Sequence, residues 1–229
     1  MSDIRDLATK LGLRFNDYGL LEQAMVHRSY LNENPSFALG HNERLEFLGD
    51  AVIELVVTEH LYRTYPNPEG ELTNWRASLV NAKTLAEIAD ELEFNGYLRL
   101  SRGESKEVKT KARQYILANA FEAVVGALYL DQGYAAAADF TSRVVITRLP
   151  HILEYHLYLD PKSRFQEAAQ EKVGVTPSYR VLSESGPDHA KIFNIGVYLG
   201  DELVASGVGA SKQEGEEAAA RAGLKQKEW

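Results

Sequence analysis

The chain changes its hydrophobic period once, and that change constrains the fold more than any other feature. From Ile4 to about Leu149 apolar residues recur three and four apart, most clearly over 20–24, 45–61, 79–92, 116–130 and 135–146. That is the spacing of helices with a buried face. Turn sequences separate the runs: Asn34-Pro35, the Pro-Asn-Pro-Glu-Gly of 66–70 and the Asp-Gln-Gly of 131–133. Asn42 and Thr73 stand where helix N-caps are expected. Beyond Pro150, 151–159 reads as a connector and 163–173 as a short amphipathic helix. Alternating strand-like runs then cover 178–185, 191–198 and 202–210, and an Ala-rich helix closes the chain over 212–227. The order predicts an all-α domain over 1–150, a linker over 151–159 and a small α+β (α-β-β-β-α) domain over 160–229. The second is near the lower size limit for independent folding.

Length and composition agree with this division. At roughly 150 residues per domain, 229 residues suit one large or two modest units. With 45% hydrophobic and 25% charged residues the chain falls in the globular range, so wholesale disorder is excluded. It has no cysteine, which removes disulfides, thiolate nucleophiles and Cys-ligated metal sites. The N-terminal residues carry mixed charges and no apolar core of a signal peptide, and acidic residues interrupt every apolar run before it could span a membrane. A cytoplasmic protein without membrane contact is expected. The formal charge of -8 argues against a generic basic coat for nucleic acid, yet leaves room for local basic patches and for an acidic cluster that holds a cation.

Two helical runs carry the chemistry. In the first, Glu43, Glu46 and Asp50 fall three and four apart, on one stripe of a helix that is otherwise mostly apolar. Like charges at that spacing destabilise a helix, and burying them costs more; a divalent cation removes both penalties. Oxygen donors of this kind suit Mg²⁺ or Mn²⁺. Gly49, within the run, allows close approach of another backbone or a ligand. In the second, Asn119 and Glu122 are the strongly polar side chains of the apolar stretch 116–130, three apart on one face. A helix this apolar is buried, so the pair must face each other, water or a metal. The alternative is that these groups are buried polar residues satisfied by Arg44, Arg76 or backbone amides.

The stretch 42–51, NERLEFLGDA, resembles the signature of the ribonuclease III family. The flanking blocks agree: Val26-His27-Arg28-Ser29-Tyr30, Glu69-Gly70-Glu71-Leu72-Thr73 with Arg76-Ala77, and Phe121-Glu122-Ala123. The tail is similar to a double-stranded RNA-binding domain in Asp160-Pro161-Lys162-Ser163, Gln166-Glu167, Gly186-Pro187-Asp188-His189 and Gly209-Ala210-Ser211-Lys212. The likeness runs over essentially the whole chain.

This resemblance implies a homodimeric, Mg²⁺-dependent endonuclease (Mn²⁺ a possible substitute) that needs no organic cofactor. It would cut double-stranded RNA to 5′-phosphate and 3′-hydroxyl ends in rRNA and mRNA precursor processing. Position by position, Glu46, Asp50, Asn119 and Glu122 fall on the metal-binding set, with Asp50 and Glu122 catalytic and Glu43 and Glu69 as accessory acids near the RNA backbone. Asp50 is expected to orient or deprotonate the attacking water. Asn119 departs from the aspartate usual in the family. It keeps a carbonyl donor but loses one charge, so two readings stand: an active variant, or a weakened or inactive protein that binds duplex RNA. A helical carboxylate metalloenzyme acting on small substrates is a third. It lacks the Glu-x-x-His motif of di-iron bundles and leaves the tail unexplained.

For the tail, the resemblance assigns Ser163, Gln166, Glu167 and Gln170 to one minor groove, His189 to the next, and Lys212 to the phosphates between them. Where the family usually has another basic residue and an alanine, Lys212 is followed by Gln213, Glu214, Gly215, Glu216 and Glu217. From 160 to 229, nine Lys and Arg face eleven Asp and Glu, so phosphate contact weaker than usual is expected. A basic segment in the first domain, Arg102, Lys106, Lys109, Lys111 and Arg113 against Glu104 and Glu107, either lies along the duplex or is a solvated loop.

Overall fold

A computed structural model of the chain describes residues 3–106, 110–187 and 191–229. The chain divides into two compact units, Met1–Tyr158 and Leu159–Trp229. The first is helical: α1 (Ile4–Leu11), α2 (Tyr18–Ala24), α3 (Arg28–Glu33), α4 (Glu43–Thr64), α5 (Glu69–Leu79), α6 (Ala82–Glu91), α7 (Lys111–Gln132), α8 (Tyr134–Val144) and α9 (Leu149–Glu154). Its core centres on α7, whose Phe121, Val124, Val125 and Leu128 are fully buried. The Phe121 ring packs between Phe94 at 6.4 Å and Phe140 at 5.9 Å.

The linker expected over 151–159 is replaced by α9 and its C-terminal turn. Leu149 and Ile152 are buried in the core of the first unit, and Tyr158 meets Trp75 edge-on at 6.0 Å. The sequence hides this because α9 is only six residues long, too short to show a helical period. Both expected caps also differ. Thr73 lies inside α5, where its hydroxyl donates to Glu69, while Asn81 caps the following helix by accepting from the Thr84 amide. Asn42 occupies the cap position of α4 without a side-chain cap bond. It is 3% exposed, its side-chain amide donates to the Ala24 carbonyl, and its backbone N–H donates to Val26. Asn42 thus fixes the start of α4 to the segment after α2.

The second unit runs α10 (Pro161–Val173), β1 (Pro177–Ser185), β2 (Ile192–Leu199), β3 (Glu202–Gly209) and α11 (Lys212–Lys227). The sheet is antiparallel in the order β1-β2-β3, with Tyr179 opposite Val197 and Val197 opposite Ala205. One face is covered by the helices: Phe165, Val197, Val204, Ala219, Ala220 and Leu224 form its core, and Trp229 stacks on Phe165 at 5.5 Å. The helix–sheet contact is close enough that a Cβ on Gly207 would fall 2.2 Å from the Ala219 nitrogen.

Candidate functional site

The site is built by the crossing of α4 and α7, the two longest helices. Glycines set their separation. A Cβ on Gly49 would fall 1.8 Å from the carbonyl oxygen of Glu122, and one on Gly126 would fall 2.2 Å from that of Leu45. The backbones touch, which brings Glu122 of α7 within electrostatic reach of Glu46 and Asp50 of α4, with Asn119 one turn before Glu122 on α7. Glu46, Asn119 and Glu122 are half-buried, whereas Asp50 is exposed.

The carboxylates of the two helices act on one another electrostatically. Burial, then the charges of Asp50 and Glu46, push the Glu122 carboxyl up to about 8. Burial, then Glu43 and Asp50, also raise Glu46. No basic side chain is among the groups acting on either. Arg44 is exposed, and Arg76 pairs with Glu54 at 3.0 Å and donates to Thr58. The satisfied-core alternative therefore lacks its counter-charges. Asn119 makes no side-chain hydrogen bond to any described residue, which leaves its carbonyl oxygen available. As placed, no three His, Asp or Glu side chains among the described residues meet closely enough to hold a metal ion. The donor set itself, three carboxylates and an amide oxygen whose repulsion is uncompensated by protein, fits a hard divalent cation.

The remaining predicted acids are placed differently. Glu43 lies beside the cluster, 3.4 Å from Arg28 and 3.7 Å from His41. Glu69 is the first residue of α5. It lines a groove of about 620 Å³ with Tyr62, Tyr65, Leu72 and Arg76, and contributes nothing to the shifts of Glu46 or Glu122. Its place in the sequence block could not reveal this, because α5 reaches the groove only through the turn at Pro66–Pro68.

The basic segment of the first unit is also corrected in part. Arg113 is 5% exposed and turned inward, its Nη2 donating to the Glu104 carbonyl while its Nε and Nη1 have no hydrogen-bond partner among the described residues. It cannot lie along a duplex as a surface cation. Arg102, Lys106 and Lys111 are exposed; Glu107 and Lys109 fall outside the described residues. The sequence block containing His27 joins this region. His27 Nδ1 meets the Ser29 hydroxyl at 2.8 Å, Ser29 accepts from the Ser101 amide, and Ser101 accepts from that of Glu104.

In the second unit, Ser163, Gln166, Glu167 and Gln170 are exposed along one stripe of α10. Lys212 is exposed in the first turn of α11, behind a Ser211 cap that accepts from the Glu214 amide. Asp188 and His189 fall outside the described residues.

Comparison with known proteins follows the same division. Residues 17–149 match the family model described as Ribonuclease-III-like, and residues 161–227 match the double-stranded RNA binding motif. Ribonuclease 3 of Latilactobacillus sakei subsp. sakei is 42% identical over 224 residues, covering 97% of this chain and 96% of the relative. Ribonuclease 3 of Pelotomaculum thermopropionicum is 43% identical over 229 residues, covering 98% and 95%. Two structures of the ribonuclease III nuclease domain from Campylobacter jejuni superpose with a TM-score of 0.58 at 36% identity, over 65–66% of this chain and 98–99% of those chains. One report on that domain concerns structural flexibility in a region involved in dimer formation. With both domain models matched in order and relatives above 40% identity along nearly the full length, the chain belongs to the ribonuclease III family of double-stranded-RNA endoribonucleases.

Proposed function

We propose that the chain hydrolyses duplex RNA at the α4–α7 crossing, giving 5′-phosphate and 3′-hydroxyl ends, with Mg²⁺ as its cation and Mn²⁺ as a substitute. The observation that carries this is the convergence of like charge, in which Asp50 and Glu46 help hold the Glu122 carboxyl at about 8 with no cationic side chain opposing them. Glu46, Asp50, Asn119 and Glu122 would hold the ion. Bound there, it would neutralise charge on the scissile phosphate and lower the pKa of a water.

The chain's own groups divide the remaining work. Glu122 and Glu46, half-buried, are held by packing and fix the donor geometry. Asp50 is exposed at the crossing and free to orient the attacking water or take its proton. Glu43, paired with Arg28, stands one turn from Glu46 without entering the set. Duplex RNA would lie on the α10 stripe and Lys212, a polar surface suited to reading shape and phosphates rather than base edges.

A homodimer is part of this reading. On α4 the core takes Leu45, Ile53, Val56 and Val57, yet Phe47, Leu55 and Tyr62 on the other side are 82%, 56% and 80% exposed. A helix apolar on both sides calls for a second partner, and a second copy of the same face is the simplest one. Such an enzyme would act on duplex regions of rRNA and mRNA precursors in the cytoplasm.

The test is one gel. Purified chain and a duplex RNA are combined with Mg²⁺ or with EDTA, and Glu122→Gln is run beside the wild type. Cleavage confined to wild type with Mg²⁺, and binding without cleavage by Glu122→Gln, support the proposal. Binding without cleavage by the wild type in Mg²⁺ and Mn²⁺ would instead favour the non-catalytic reading that the neutral Asn119 suggests.

A further inference from the structure

Between the first turns of α10 and α11 lies a polar cavity of about 620 Å³, lined by Asp160, Lys162, Ser163, Gln166, Glu216 and Glu217 among others. Ser163 and Gln166 belong to the stripe read above as the RNA surface, and the inference rests on that reading. Every charge here is already balanced within the unit. Asp160 is occupied as the α10 cap, accepting from the amides of Lys162 and Ser163 and from the Ser163 hydroxyl. Glu217 accepts from Gln213 and lies 3.7 Å from Arg221. Lys162, next to Ser163 in the chain, reaches across to Glu216 with Nζ 2.5 Å from its carboxylate and 5.2 Å from the centre of the Tyr179 ring. The pair is partly buried, at 36% and 28% side-chain exposure, so water screens it less than an ordinary surface pair.

A lysine held this way contributes little to a polyanion. To reach a phosphate, Lys162 must leave both Glu216 and the Tyr179 ring. The carboxylate it leaves behind then faces the RNA unpaired. We propose that Glu216 is an affinity-setting residue of this chain: by holding Lys162 it keeps that lysine off the RNA phosphates and weakens duplex binding by the second unit. A weaker grip would favour release and turnover on long duplexes over retention. It also gives a physical form to the acidic run after Lys212, whose effect is exerted across the cavity on α10.

The experiment measures binding of the full chain to a duplex RNA of about 20 base pairs, longer than the ~16 base pairs one such domain spans, in EDTA and over a series of KCl concentrations. Freeing one lysine and removing one carboxylate should release about one further counterion. Glu216→Gln should then bind roughly fivefold to tenfold more tightly near 0.15 M salt, with a salt slope steeper by about one. Lys162→Met should leave wild-type affinity within about twofold, because that lysine contributes little while it is held. Lys162→Met combined with Glu216→Gln should show no gain. Unchanged or weaker binding by Glu216→Gln overturns the proposal, and so does a gain that survives in the double variant. A severalfold loss in Lys162→Met alone also overturns it, and this variant decides the matter should Glu216→Gln fail to fold. Ser163→Ala with Gln166→Ala reports on the underlying reading separately. If that pair leaves binding intact, the RNA surface lies elsewhere and both ideas fall. If it weakens binding, any failure of Glu216→Gln belongs to this proposal alone.

Discussion

The backbone carbonyl of Glu122 packs directly against Gly49, with room for a hydrogen but not a methyl: a Cβ at position 49 would stand 1.8 Å from that oxygen. The same residue therefore supplies a carboxylate of the proposed site and the surface on which the opposing helix rests. Gly49→Ala must force α4 and α7 apart, since the obstructing atoms are backbone and cannot rotate away. Overpacking of this kind costs ~1–3 kcal/mol, and a displacement of about 1 Å between catalytic groups can lower turnover by about 100-fold. Urea unfolding and cleavage rates should both show the loss. Gly70→Ala, with nothing within 4 Å of the new methyl, should show neither. Wild-type stability and rate in Gly49→Ala would mean the helices are not held in this contact.

The raised carboxyl of Glu122 makes the apo protein sensitive to pH in a definite direction. Its native value of about 8 lies above the ordinary 4.5. The native state is thus favoured while the group is protonated in both folded and unfolded chains, below pH 4.5. That contribution is lost as pH rises from 4.5 to about 8, and is flat beyond. At ~1.4 kcal/mol per pH unit of separation the loss is of order a few kcal/mol. Glu122→Gln should remove this fall, so the stability of the variant relative to wild type should increase between pH 5 and pH 8 in EDTA. Mg²⁺ at pH 8 should raise the wild-type melting temperature and leave the variant nearly unmoved. Parallel pH profiles for the two proteins would show that Glu122 does not carry the shift.

Much of the candidate site is legible in the sequence, for a simple reason. Carboxylates at three and four spacing on apolar helices, Glu46 and Asp50 on one and Glu122 on the other, are anomalies that local periodicity exposes. What periodicity cannot show is which helices cross. Gly126 drew no notice in the sequence, because its partner is the Leu45 carbonyl 81 positions away. Arg113 was grouped with surface cations because charge in a sequence reads as exposure. Only the folded turn at Glu104 turns it inward. The Lys162–Glu216 pair, too, joins residues on different helices of the second unit. The outer face of α4 left a local signal: Phe47, Leu55 and Tyr62 are apolar at positions off the core stripe, and a count of both faces reveals it.

The boundary of the first unit can be tested by truncation. A chain ending at residue 150 lacks Ile152 and Tyr158, which pack on the core of this unit and on Trp75 respectively. Burying a side chain such as Ile152 is worth roughly 1.5–3 kcal/mol. Residues 1–158 should accordingly have a higher urea midpoint than residues 1–150, with an unfolding free energy larger by more than that amount once Tyr158 is included. The longer fragment should still cut duplex RNA at low salt and high Mg²⁺, since the proposed chemistry lies wholly within it. It should bind more weakly, with a shallower salt dependence, than the full chain. Equal stability of the two fragments would return 151–158 to the role of a linker.

Asn119 is where the family resemblance and the physics of the site pull against each other. An aspartate there would add a fourth carboxylate to Glu46, Asp50 and Glu122, and burial already raises two of these. With no counter-charge on the protein, the added repulsion should lower the stability of the apo protein slightly, by ~1 kcal/mol or less for a partly solvated group. Bound cation reverses the sign, because a charged oxygen is a stronger ligand for a hard dication than an amide carbonyl. Asn119→Asp should therefore lower the Mg²⁺ concentration needed for half-maximal cleavage, on the order of tenfold if the gain matches ~1.4 kcal/mol. Mn²⁺, which binds such oxygen sites more readily, should narrow the gap between the two proteins. Titrating both metals against both proteins on one duplex supplies the comparison. If Asn119→Asp leaves the Mg²⁺ requirement where it was, or raises it, residue 119 is not a ligand. Its amide would then sit at the crossing only as a half-buried neighbour of Glu122.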